Sequence, residues 1–171
     1  MPRYVAFLRG VSPLNVKMPD LRQSFETAGF TNVKTVLSSG NVVFDARSAA
    51  EAALERKAEA AMNGVMGRSF YTLVRSVTDL KALLATDPYS QFAVAPQARR
   101  VVSFFRQAPT TPPALPIELD GARLLCLVNR EVFTAYVPDD KGPVFMTLIQ
   151  RSFGTEVTTR TFETLKKCVA A

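Results

Sequence analysis

Two cations and a glycine that could bind an anion lie close together near the start of the sequence. Arg9, Gly10 and Lys17 fall between a short apolar run and the first turn of a predicted helix. A guanidinium, an ammonium and free amides at a helix start suit a phosphate or a carboxylate. The alternative is that both cations are solvated or pair with nearby carboxylates. The segment is not a P-loop, because the pattern GxxxxGK followed by Ser or Thr is absent.

A second polar segment, residues 38–41, contains Ser39, Gly40 and Asn41 between two predicted strands. We expect a hairpin turn here, in which Gly40 or Asn41 can adopt a positive φ. The side chains could add polar groups to an anion site, although a turn needs no ligand to account for them.

A third polar segment, Thr158 to Thr161, contains Thr159 and Arg160 and is predicted at the start of the last helix. Hydroxyls there are explained by helix capping. Capping does not explain Arg160, because positive charge is unfavourable at the N-terminal end of a helix dipole. We therefore expect its guanidinium to meet an anion.

The chain of 171 residues contains no histidine. This excludes Ser-His-Asp and Cys-His relays and histidine metal ligands. No nucleophile and base can be paired, so whether the protein is an enzyme stays open. Asp139 and Asp140 adjoin a predicted turn, where carboxylates usually face solvent rather than a substrate or metal. Cys126 and Cys168 are far apart and are expected to be packing residues. We expect no cofactor and no metal site.

The net charge of +6 is scattered rather than gathered. Residues 1–40 hold five Lys or Arg against two acids, residues 41–95 six against six, and residues 96–171 ten against seven. A protein that tracks phosphates needs its cations on one face. Nucleic-acid binding is therefore an alternative that the charge pattern does not favour. The apolar run Val5 to Leu8 is too short for a membrane span or signal-peptide core, so we expect a cytoplasmic protein without membrane contact.

Residues 1–75 predict the order strand, helix, strand, strand, helix, strand. The strands are predicted at residues 4–8, 33–37, 42–44 and 70–74, with helices between 19 and 28 and between 48 and 64. Ser48 and Glu51 have the spacing of a capping box at the start of the second helix. This order is that of a ferredoxin-like βαββαβ unit.

Residues 76–171 predict a smaller α/β subdomain with a short antiparallel sheet and terminal helices. Strands are predicted at 100–105, 124–128 and 132–137, and helices at 76–86, from Pro143 to 154, and at 162–169. Four prolines make residues 108–116 an extended connector. The fold class is therefore α+β, and we expect both parts to pack as one compact unit.

An ordered set of short motifs is similar to the bacterial family catalogued as domain of unknown function 1697. The motifs are Ala6-Phe7-Leu8-Arg9-Gly10, Lys17-Met18, Ala28-Gly29-Phe30, Ser39-Gly40-Asn41-Val42-Val43-Phe44 and Thr158-Thr159-Arg160. The family's Ile-Asn after Arg-Gly is Val11-Ser12 here, and its Asn-Trp after Thr-Thr-Arg is Thr161-Phe162. The resemblance implies an α+β fold with a ferredoxin-like N-terminal part and a cytoplasmic, mostly bacterial setting. It implies no activity, substrate or catalytic residue.

From the sequence we expect a protein that binds an anionic small molecule, such as a nucleotide or a phosphorylated metabolite. The alternatives are a nucleic-acid-binding module that uses a basic face and an oligomerising scaffold without a ligand, and the sequence does not determine the oligomeric state. The candidate ligand-binding residues are Arg9, Gly10, Lys17, Ser39, Gly40, Asn41, Thr159 and Arg160.

Overall fold

A computed structural model describes residues 1–138, residue 142 and residues 144–171. The described residues form two antiparallel sheets and five α-helices. They divide into two compact units, one made of Met1–Leu84 with Lys166–Ala171 and the other of Ala85–Leu165. The two aspartates at 139 and 140, and the proline expected to open a helix at 143, lie outside the described residues.

The first unit alternates strands and helices around a four-stranded sheet. Its elements are β1 (Arg3–Leu8), α1 (Met18–Thr27), β2 (Thr31–Thr35), β3 (Asn41–Asp45), α2 (Glu51–Met66), β4 (Thr72–Ser76) and α3 (Val77–Ala85). The strand order is β2-β3-β1-β4, and each neighbouring pair is antiparallel. The predicted hairpin of β2 and β3 is confirmed. The subdomain boundary expected at residue 75 falls near the end of β4, and the compact unit continues to Leu84.

The core of the first unit lies between the sheet and helices α1 and α2. Alternate residues of β1 point into it, because successive side chains of a strand point to opposite faces. The buried cluster includes Ala6, Leu8, Leu21, Phe25, Phe44, Leu54, Ala58 and Met62. Burial of each large apolar side chain contributes about 1.5–3 kcal/mol, so this face holds the helices on the sheet.

Helix α2 does not begin with the predicted capping box, and that prediction is wrong. The helix begins at Glu51, and Ala50 is the N-cap residue, without a side-chain cap. Ser48 therefore lies two residues before the N-cap, too early to cap the first turn.

Helix α2 also ends later than its sequence indicates. The helix runs through Asn63 and Gly64 to Met66, whereas the sequence predicts an end at residue 64. Gly67 ends it, with a left-handed φ of 73° and its amide donating to the Asn63 carbonyl at 2.9 Å. Glycine adopts this conformation at the least cost. Arg68 follows Gly67 in the loop that enters β4.

Strand β4 lies at the edge of the sheet, and two carboxylates of α2 accept hydrogen bonds from its backbone amides. Glu55 Oε2 accepts a hydrogen bond from the Val74 amide at 2.9 Å, and Glu59 Oε2 accepts one from the Thr72 amide at 3.2 Å. An edge strand otherwise presents unpaired amides to other chains. The two glutamates, one helical turn apart, therefore occupy amides of this edge.

The second unit is built on a five-stranded sheet. It contains a 3₁₀ turn (Pro88–Gln91), β5 (Arg99–Phe104), β6 (Ile117–Leu119), β7 (Ala122–Val128), β8 (Glu131–Tyr136), α4 (Val144–Phe153) and β9 (Thr158–Thr161), and α5 (Phe162–Ala170) follows. The strand order is β6-β7-β8-β5-β9. Helix α4 packs on the sheet through a cluster that includes Leu124, Val132, Leu148 and Ile149. Two short strands, β6 and β9, extend this sheet beyond the three strands that the sequence predicts.

Candidate functional site

The loop after β1 is held in shape by one of its own side chains. Asn15 accepts a hydrogen bond from the Ser12 amide at 2.9 Å and donates one to the Gly10 carbonyl at 2.8 Å. The Ser12 hydroxyl also accepts a bond from the Leu14 amide at 3.3 Å. Gly10 has a φ of 82°, which glycine adopts readily. The loop that carries the first polar segment is therefore ordered before any ligand binds.

The turn between β2 and β3 packs directly on this loop. The Leu8 amide donates to the Gly40 carbonyl at 2.8 Å. A Cβ atom at residue 40 would lie 2.9 Å from Val11 Cβ and 3.0 Å from the Leu8 carbonyl oxygen. The structure thus brings the first and second polar segments together, and it does so through backbone contact that only glycine permits.

Asn41 supports the turn from inside. It is 1% exposed, and its amide nitrogen donates to the Val36 carbonyl and to the Ser39 hydroxyl, both at 3.0 Å. Ser39 itself is exposed. The side chain of Asn41 therefore fixes the turn, and Ser39 is the member of this segment that is fully exposed, whereas Ser38 is half-buried.

Arg9 and Lys17 are both exposed at this end of the sheet. Within the part of the chain that the structure describes, neither side chain makes a hydrogen bond or an ion pair. Of the carboxylates near them in sequence, Glu26 pairs instead with Arg22 at 2.8 Å. The charges of Arg9 and Lys17 are thus left to solvent or to a ligand.

A groove of about 670 Å³ opens beside the start of α1. This volume lies in the range of small-molecule sites. Lys17 and Arg68 are its cations and Asp20 its carboxylate. The remaining lining residues are Pro13, Leu14, Asn15, Val16, Gln23, Val65 and Met66. A wall of this composition suits an anion that also has an apolar part.

Arg68 is the cation that the sequence analysis missed. Its guanidinium carbon lies 4.6 Å from the centroid of the Phe70 ring, which orients it by a cation–π contact. The loop it occupies runs beside the end of β1, because the Arg9 amide donates to the Tyr71 carbonyl at 2.9 Å. The predicted strand at 70–74 already places Arg68 in the loop before it, but no local pattern shows that this loop and Lys17 line one groove.

The third polar segment is strand β9, which the sequence does not predict, and it leads directly into α5, which begins at Phe162 as the sequence predicts. β9 pairs with β5, with Arg160 opposite Val102. Arg160 is 8% exposed and donates to the Thr158 hydroxyl at 2.8 Å and the Thr159 carbonyl at 2.9 Å. Thr161 caps α5, because its hydroxyl accepts a hydrogen bond from the Thr164 amide at 3.1 Å. The participation of Thr159 and Arg160 in an anion site stays a prediction.

Hydrogen bonds and burial shift the pKa values of three groups outside the groove. Hydrogen bonds from Asn32 and Arg3 lower the pKa of Asp45, at the other end of β3 from Asn41. Burial raises the pKa of the Tyr89 hydroxyl, which donates to the Val101 carbonyl at 2.6 Å. Burial also raises the pKa of the Cys126 thiol, which is half-buried.

Comparisons with known proteins identify a fold and a family. A solved structure, that of the conserved bacterial protein SP0830 from Streptococcus pneumoniae, matches with a TM-score of 0.72 and 22% identity, covering 99% of this chain and 97% of that one. No curated protein matches. Among the described residues, no helix is long and apolar enough to cross a membrane. The profile of a family described as "Protein of unknown function (DUF1697)" matches residues 1–122. The chain therefore belongs to the DUF1697 family.

Proposed function

We propose that the first unit binds a small anionic molecule, such as a nucleotide or a phosphorylated metabolite, in the groove beside α1. One observation carries the proposal: Lys17 and Arg68 line the same groove, and both are exposed. Neither side chain has an ion-pair partner among the residues that the structure describes. Two unpaired cations in one concave site favour a ligand that carries negative charge.

The net charge of the side chains that line the groove limits which ligands can bind there. Asp20 also lines it, so the two cations leave an excess of one positive charge. A hydrogen bond to a charged group contributes about 1.5–3 kcal/mol. Loss of either cation should therefore weaken binding by about tenfold or more, since about 1.4 kcal/mol corresponds to a factor of ten. The apolar residues Val65 and Met66 would contact the uncharged part of the ligand.

The other candidate residues have supporting roles in this proposal. Arg9 adds an exposed charge where β1 ends, and its guanidinium would attract anions to the groove. Gly10, Gly40 and Asn41 hold the backbone of the loop and of the turn packed on it. Ser39 offers an exposed hydroxyl on that turn. For Thr159 and Arg160, ligand binding remains an expectation from the sequence.

We also propose that the first unit is ferredoxin-like. The support is the order of its elements, β1-α1-β2-β3-α2-β4, together with the antiparallel strand order β2-β3-β1-β4 and two helices on one face. In such a unit, the loop after the first strand lies beside the turn between the second and third strands. The packing of Gly40 on Val11 agrees with that arrangement.

A thermal-shift screen of the full chain tests anion binding, because a ligand that binds only the folded state raises its melting temperature. Pyrophosphate, nucleoside phosphates, sugar phosphates and dicarboxylates are the probes. Lys17→Gln and Arg68→Gln should reduce the shift, whereas Lys81→Gln, an exposed lysine on α3, should not. Equal shifts in all three variants would contradict the proposal. Binding of oligonucleotides with a steep salt dependence, in preference to small anions, would favour nucleic-acid recognition instead.

A further inference from the structure

We propose that a second cavity, at the opposite end of the same sheet, binds a small carboxylic acid with a compact apolar body. The cavity has a volume of about 360 Å³. Strand β1 runs between the two ends: Arg3 pairs with Asp45 near this cavity, and Phe7 pairs with Asn41 near the groove. The lining comes from Met1, the two residues before β2, the loop after β3 and the first turns of α2. This site is separate from the groove of Lys17 and Arg68.

One wall of the cavity is apolar and fixed. Phe30 and Leu54 line it, and each is 4% exposed. The Phe30 ring stacks on Phe44 with centroids 4.3 Å apart and an interplanar angle of 24°. Because its other contacts are already made, the ring does not need to reorganise to receive a ligand. Small side chains, Ala46 and Ala53 among them, leave the space in front of it open.

Two cationic side chains line the same cavity, and no lining residue has a carboxylate side chain. They are Arg47 and Lys57, both exposed, and the Lys57 ammonium lies 5.9 Å from the Phe30 ring centroid. In the described ranges of the chain neither one forms an ion pair. The carboxylate nearest Arg47 in sequence, Asp45, is already bonded through one oxygen to Arg3 and through the other to Asn32, each at 2.7 Å. The carboxylates nearest Lys57, on Glu55 and Glu59, accept hydrogen bonds from amides of β4.

The apolar wall and the two cationic side chains together favour a ligand with an apolar body and a carboxylate. An apolar body would lie against Phe30 and Leu54, and a carboxylate would reach Arg47 and Lys57 at the mouth of the cavity. The volume lies at the lower end of the usual range for small-molecule sites, which fits a short aliphatic or aromatic acid. A neutral or cationic analogue of the same body would leave the two cations without an anionic partner.

The test is an NMR titration of the full chain with three probes of equal chain length, hexanoate, hexan-1-ol and hexylamine. Hexanoate should shift the Leu54 methyl and Ala53 amide resonances and saturate them, while the alcohol binds about tenfold more weakly and the amine more weakly still. Arg47→Gln and Lys57→Gln should each weaken hexanoate binding about tenfold. Arg56→Gln, an exposed neighbour on α2 that does not line the cavity, should leave it unchanged.

Equal affinity for the three probes, or no saturable shift with hexanoate, would overturn the proposal. The comparison of probes uses the unaltered chain, so it does not depend on how the variants fold. Lys17→Gln should leave hexanoate binding at this cavity unchanged. Failure here therefore leaves anion binding at the groove untouched, and failure at the groove leaves this site untouched.

Discussion

Gly40 lies so close to Val11 that a Cβ atom at residue 40 would be 2.9 Å from the Cβ of Val11. Its φ of 88° is one that residues with side chains rarely adopt. The turn between β2 and β3 and the loop after β1 consequently form one packed structure. A change in the turn is transmitted to the loop that carries Arg9 and Lys17.

Gly40→Ala should lower the free energy of unfolding by about 2 kcal/mol or more. The added methyl group meets Val11 and the Leu8 backbone, and alanine is strained at this φ. Urea denaturation of the variant measures the change. Gly64→Ala is the matched control, because Gly64 lies in α2 with no atom near the added Cβ, and it should stabilise by about 0.5–1 kcal/mol. A Gly40→Ala variant as stable as the unaltered chain would show that the contact can relax.

Asn15→Ala should weaken anion binding although it leaves both cations of the groove in place. The substitution removes the hydrogen bonds to Ser12 and Gly10 that order the loop. The loop would then lose conformational entropy when a ligand binds, which lowers the affinity. Amide hydrogen exchange of residues 10–16 should accelerate, and the stability should fall by about 1 kcal/mol. Asn63→Ala, an exposed asparagine on α2, is the control. Unchanged exchange in the loop would contradict the role given to Asn15.

Glu55→Ala should expose the edge of the first sheet. The Val74 amide loses its acceptor, which costs about 1–3 kcal/mol for a buried donor left without a bond. Hydrogen exchange at Val74 should accelerate more than at residues of β1. Glu55→Gln keeps an acceptor oxygen and should restore most of the protection. If the two variants exchange alike, the carboxylate oxygen is not what protects the strand.

Asp45 should make the free energy of unfolding depend on pH in the acidic range. Its pKa in the folded chain lies below the ordinary value of 3.8, mainly because Asn32 and Arg3 donate hydrogen bonds to the ionised carboxylate. The stabilisation is complete above the unfolded pKa and is lost as the pH falls through the folded pKa. The unaltered chain should therefore lose more stability than Asp45→Asn between about pH 6 and about pH 3. Parallel losses in both proteins would contradict this assignment.

Hydrophobic periodicity and the positions of glycine and proline predict the first unit well, because its strands and helices follow these local signals. The run from Tyr4 to Leu8, Pro19 in the first turn of α1 and Gly29 after its end fall where the structure has β1 and α1. The hairpin of β2 and β3 is also confirmed, and its turn lies where Ser39 and Gly40 indicate.

The errors concern residues whose conformation depends on distant partners. Residues 158–161 are a strand because β5 supplies hydrogen bonds from more than 50 residues away, which no local pattern reveals. The sequence places the end of α2 too early because Gly64, an ordinary stop signal, is tolerated inside the helix, and Gly67 takes the left-handed position. This difference of two residues leaves Arg68 in the loop before β4 in either case, and no local pattern indicates that this cation lines a groove with Lys17.

Lys17 and Arg68 are proposed to bind one anion in the groove beside α1. The most direct measurement is a ¹H–¹⁵N correlation titration of the full chain with pyrophosphate at low salt. We predict saturable shifts concentrated at residues 13–17 and 65–68, with about a tenfold loss of affinity in Lys17→Gln and in Arg68→Gln. Shifts spread evenly over exposed lysines and arginines, or affinities unchanged by both substitutions, would contradict the claim.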